Sequence, residues 1–193
     1  MKTTRLEAFS DAVIAIIMTI MVLELRVPHG TDLHALRPVL PLFLSYVLSF
    51  VILGIYWNNH HHMLHAAEHV TGNVLWANLH LLFWLSLIPF TTGWMGENHF
   101  SSLPTAAYGV VLLMSAVAYT ILQTAFIAGN KSGKLAKAVG NDFKGKLSMA
   151  LYVAAIPLAF VNELISDAIY VTVAIIWFIP DRRIEKTEVH SAH

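Results

Sequence analysis

The chain has 193 residues, 56% of them hydrophobic and 12% charged, with a formal net charge of zero and a mean hydropathy of +0.62. A soluble domain carries about 25% charged residues, so half that charge beside this much apolar side chain points to a membrane domain. The neutral balance offers nothing to nucleic acid, and the lack of cysteine excludes a disulfide framework and thiolate chemistry.

Windowed hydropathy predicts an all-α, polytopic membrane protein with six spans, near 6–27, 36–59, 72–95, 104–128, 147–164 and 166–180. No polar block is large enough for a separate soluble unit, so residues 1–193 read as a single membrane domain. The first span is long enough, at about 1.5 Å per residue, to cross a hydrocarbon core of about 30 Å. A signal peptide competes for residues 1–25, because Lys2 and Arg5 precede an apolar run. Asp11 and Glu24 bracket that run, however, and no small-x-small site precedes Arg26, so it reads as a span.

As a helix, this span places Ala12, Ile16, Thr19 and Leu23 on one stripe. Such a stripe either packs on another helix, with Thr19 bonding back to Ala15 or Ile16, or lines a passage. Asp11 is costly inside a span and calls for a partner or water. Arg5 is the nearest cation, but six residues turn a helix by about 600°, so each must find partners on other helices.

The second span opens near Pro38 and Pro41 and ends in Trp57-Asn-Asn-His-His-His-Met-Leu-His-Ala-Ala-Glu-His69. His61, His65 and His69 would stack on a helix with Glu68 nearby, a spacing that suits zinc or non-haem iron. A histidine-dependent membrane enzyme needs several such clusters, and only His80 and isolated histidines remain. The run is therefore expected to cap and cross-link helices, and no metal site is assigned. Pro89 and Pro157 lie inside spans three and five and should kink them. The last two spans are tight, with a turn near Asn162-Glu163-Ser166-Asp167, and residues 104–180 hold no second copy of the first span's Phe-Ser-Asp pattern.

With the N-terminus inside, Lys2, Arg5, Lys131, Lys134, Lys137, Lys144, Lys146, Arg182, Arg183 and Lys186 are all cytoplasmic, against Arg26 and Arg37 outside. That asymmetry places both termini in the cytoplasm of a multi-pass cell-membrane protein. The loop between spans two and three is expected inside too, although it carries histidines in place of Lys or Arg.

Arg5-x-x-x-Phe9-Ser10-Asp11 at the head of the first span resembles the signature of the transmembrane protein 175 family, the lysosomal potassium channels and their shorter bacterial relatives. Trp57-Asn-Asn-His60-His61, Asn78 and Pro89-Phe90-Thr-Thr agree with it, so the likeness covers residues 5–95, and the second half agrees in hydropathy alone. Asn58 and His62 depart from it locally. The resemblance implies a homotetramer with four first spans around a central pathway for potassium. It also implies an aliphatic constriction with hydroxyl rings close by, which fall here on Ile16, Thr19 and Leu23. Arg5, Phe9, Ser10 and Asp11 would anchor each pore helix through Trp57, His60, His61 and Asn78. The expected protein is a potassium channel without the Thr-Val-Gly-Tyr-Gly filter, not an enzyme. Its expected partners are its own copies, the lipid bilayer and monovalent cations, with no cofactor and no nucleic acid. The alternatives are a secondary or proton-coupled transporter using Asp11 and the histidines, and a metal-dependent membrane enzyme.

Overall fold

The computed structural model describes residues 3–67, 69–130 and 142–178. Lys2, Glu68, Lys131, Lys134, Lys137, Arg182, Arg183 and Lys186, named above, lie outside the described residues, as does the end of the sixth predicted span. Helices make up the described fold: α1 (Thr3–Leu23), a 3-10 segment (Leu33–Val39), α2 (Leu40–Ala66), α3 (Gly72–Ser86), α4 (Ile88–Glu97), α5 (Ser102–Gly129), α6 (Phe143–Leu158) and α7 (Glu163–Phe178).

Local chemistry sets the boundaries. The Asp32, Thr71 and Asp142 side chains accept from the backbone N–H of Ala35, Val74 and Gly145, capping the 3-10 segment, α3 and α6. Pro41 falls in the first turn of α2, where a missing N–H is harmless. Pro89 breaks the third span as expected: the Leu87 N–H turns back to Trp84 O at 3.2 Å, and α4 starts anew at Ile88. Pro157 acts differently from the expected kink, because α6 ends one residue later, at Leu158. The turn into α7 lies at 159–162, so Glu163, Ser166 and Asp167 belong to the helix and not to the turn.

α3 and α4 together form one broken segment, which leaves six helical segments among the described residues. Thr3–Leu23, Leu33–Ala66, Gly72–Glu97 and Ser102–Gly129 are long and apolar enough to cross a membrane. α6 has 16 residues, about 24 Å of helix, which is shorter than the hydrocarbon core, and the described part of α7 also has 16. α2 runs to Ala66, beyond the predicted end at 59, because the histidine run continues its helix.

α5 is the central post. Tyr108, Leu112, Ala118, Leu122 and Phe126 are fully buried there, and the helix packs against α3, α4, α6 and α7. α1 packs on α2, α3 and α4. The approach of α4 to α2 is close at Gly96, where an added Cβ would stand 2.6 Å from Leu42 Cα. Gly96→Ala is expected to lower stability by about 1–3 kcal/mol through overpacking, read as a lower melting midpoint in detergent.

Candidate functional site

α1 divides into two faces. Leu6, Ser10, Ile14, Ile17 and Met21 are buried against the rest of the chain. Ala12, Ile16, Thr19 and Leu23 are all exposed, Ile16 at 56% and Leu23 at 79%. The predicted stripe is therefore an apolar face that nothing among the described residues covers. Its one hydroxyl hydrogen, on Thr19, points back to the carbonyls of Ala15 and Ile16, both at 3.0 Å. That bond satisfies the hydrogen and leaves oxygen lone pairs to face outward.

The buried side of α1 carries a polar chain. Ser10 Oγ donates to Leu6 O at 2.8 Å and accepts from Asn78 Nδ2 at 2.9 Å. Asn78 Oδ1 lies 2.8 Å from His60 Nε2. Since the Asn78 amide spends its N–H on Ser10, its oxygen accepts, so His60 carries the proton on Nε2. Ser10, Asn78 and His60 are each 0% exposed, so α1, α3 and α2 are tied by groups that have no water to turn to.

A second pairing runs along the antiparallel α1–α2 contact. Trp57 Nε1 donates to Asp11 Oδ1 at 3.0 Å. One turn earlier on α1 and one turn later on α2, Glu7 Oε1 meets His61 Nδ1 at 2.9 Å and His65 Nε2 at 3.7 Å. Asp11 thus finds its partner on another helix, as the angular argument required. Arg5 and Phe9 are exposed and stand outside this bonded set.

The stack of His61, His65 and His69 does not form, because α2 ends at Ala66. His69 instead receives and gives backbone bonds with the Asn130 side chain, the N–H bond at 2.9 Å and the carbonyl bond at 3.3 Å. Glu7 is the partner of His61 and His65 that spacing along α2 missed. It was findable, since a residue one turn from Asp11 shares its face of α1. At the opposite end of the bundle, Arg26 after α1 pairs with Glu97 at 2.7 Å, both partners exposed.

Comparison with known proteins places these features in context. The sequence profile of a family described as the endosomal/lysosomal potassium channel TMEM175 matches residues 5–89. A protein named as a potassium channel from Chryseobacterium sp. (strain P1-3) is 52% identical over 97% of this chain and 98% of its own length. Another so named, from Streptomyces collinus, is 33% identical over 63% of each chain. The crystal structure of a lysosomal potassium-selective channel TMEM175 homolog from Chamaesiphon minutus superposes with a TM-score of 0.79 at 25% identity, covering 92% of this chain and 96% of that one. The likeness therefore extends well past residue 95, into the half that had matched in hydropathy alone.

Proposed function

Because the chain belongs to the TMEM175 family, we propose that it is a potassium-permeable channel of the cell membrane, built from four copies around a pathway lined by α1. The observation that carries this reading is the bare stripe of Ala12, Ile16, Thr19 and Leu23 on a helix whose other face is bonded into the bundle. A hydroxyl at mid-span suits a pore helix, because oxygens help replace part of an ion's hydration shell.

In the tetramer, four Ile16 and four Leu23 side chains narrow the passage and four Thr19 oxygens lie between them. The Ser10–Asn78–His60 chain and the Trp57–Asp11 bond hold each α1 at a fixed rotation, so the stripe points to the axis. Arg5 and Phe9, exposed within one chain, are available to neighbouring copies and to the membrane surface. Lys and Arg asymmetry supports both termini on the cytoplasmic side. Potassium is the permeant ion, no cofactor is required, and no step calls for catalysis.

The test is potassium and sodium flux in liposomes with single-channel recording, since a carrier turns over too slowly to give resolved current steps. Thr19→Val keeps the shape and removes the oxygen. An oxygen contact worth about 1 kcal/mol corresponds to roughly a fivefold change in preference. Potassium-over-sodium preference is expected to fall by that order with current retained. An unchanged bi-ionic reversal potential would mean that Thr19 serves only its own helix backbone.

A further inference from the structure

Spacing along α2 alone supplied too few ligands for a metal, and folding changes that count. Glu7 on α1 brings a carboxylate oxygen 2.9 Å from His61 Nδ1 and 3.7 Å from His65 Nε2. The three donor atoms all lie within 4.8 Å of one another. Donors around a tetrahedral zinc ion, at bond lengths of about 2.1 Å, stand about 3.4 Å apart, between the two separations seen here. We propose that Glu7, His61 and His65 form a binding site for a divalent transition-metal ion of the zinc class, which fastens α1 to α2.

The donor set selects the ion. Two imidazoles and one carboxylate suit zinc, cobalt or nickel, whereas calcium and magnesium take oxygen ligands. The pieces are held near the required positions before any ion arrives. The His61 and His65 rings lie 4.4 Å apart, and the Trp57 ring stacks on His61 with centroids at 6.1 Å. The His65 side chain is 56% exposed, which opens an entry path and leaves the remaining coordination positions to water. An ion bound at His61 Nδ1 takes the place of the hydrogen facing Glu7; a neutral ring keeps its one proton on Nε2 instead, and a protonated ring releases the other to solvent. The site is thus exchangeable, unlike a closed four-ligand structural centre. It draws on neither the exposed stripe of α1 nor the Ser10–Asn78–His60 chain, so it stands whether or not the chain conducts potassium.

The experiment is a cobalt titration of the tag-free, metal-stripped full chain, followed by visible absorption and by displacement with zinc. One cobalt per chain is expected, and zinc should raise the melting midpoint because it binds only the folded form. His65→Ala changes an exposed side chain, and Glu7→Gln keeps the shape of the carboxylate. Each is expected to weaken cobalt affinity by about tenfold or more, the scale seen when groups supporting a metal are lost. His65→Ala should also abolish the zinc-dependent rise in midpoint. Replacing His29, His34 and His99 by alanine, all lining the groove beside Arg26 and Glu97, should change nothing. Undiminished affinity in both site variants, or loss confined to the far-end variant, would overturn the assignment.

Discussion

Ile16→Asn is expected to raise potassium current about tenfold or more while lowering selectivity over sodium. The side chain is 56% exposed on the bare face of α1 and belongs to no buried cluster among the described residues. Four such isoleucines around an axis form a dry alkyl neck, which is a high barrier for a hydrated ion. Four amides at the same level would let the neck wet, and each 1.36 kcal/mol removed from a barrier is about tenfold in rate. If Ile16 were instead a packing residue between helices, the same change would bury an unsatisfied amide at about 1–3 kcal/mol. Poor expression without added current would then be seen. The two outcomes differ in sign, so recordings from a folded variant decide between pore and packing.

Asn78→Leu is expected to destabilise the fold by about 2–5 kcal/mol. The leucine nearly matches the volume but strands the His60 Nε2–H and takes away the donor to Ser10, in a place where all three residues are 0% exposed. Each buried polar group left without a partner costs about 1–3 kcal/mol, and two groups are affected. Trp57→Phe is the comparison. It removes one hydrogen bond to Asp11 from a ring that is 44% exposed, so water can replace the lost partner and the change should stay near 1 kcal/mol. Melting midpoints in detergent, read beside size-exclusion profiles, separate the two. Equal midpoints for Asn78→Leu and the unmodified chain would remove the polar chain from the account of how α1 is held. A midpoint loss with an intact oligomer would place its role within the subunit.

The metal, threonine and glycine variants probe different contacts of the α1, α2 and α4 helices. Gly96 concerns backbone approach of α4 to α2, Thr19 concerns one outward oxygen, and Glu7 with His65 concerns the join between α1 and α2. They lie on separate contacts, so their effects on stability should add.

The span pattern and the stripe on α1 were legible in the sequence because both are local. A membrane span must satisfy its backbone internally, so length and apolarity alone locate it, and helical period alone puts Ala12, Ile16, Thr19 and Leu23 on one face. The need of Asp11 for a partner on another helix was legible for the same reason, since burial of a charge is a property of one residue and its solvent. The break at Leu87 followed from Pro89, whose missing N–H acts within one turn. What sequence could not determine was which faces meet. Glu7 pairs with His61 and His65 because α1 and α2 run antiparallel in a register set by Trp57 on Asp11. Asn78 bridges Ser10 and His60 because α3 packs where it can reach both. The end of α2 at Ala66 was hidden too, because histidine and alanine continue a helix as readily as they leave it, and bonds from Asn130, 61 residues away, hold His69 outside. Local spacing determines a residue's own face, whereas a partner's identity depends on contacts between segments far apart in the chain, and those only the tertiary structure decides.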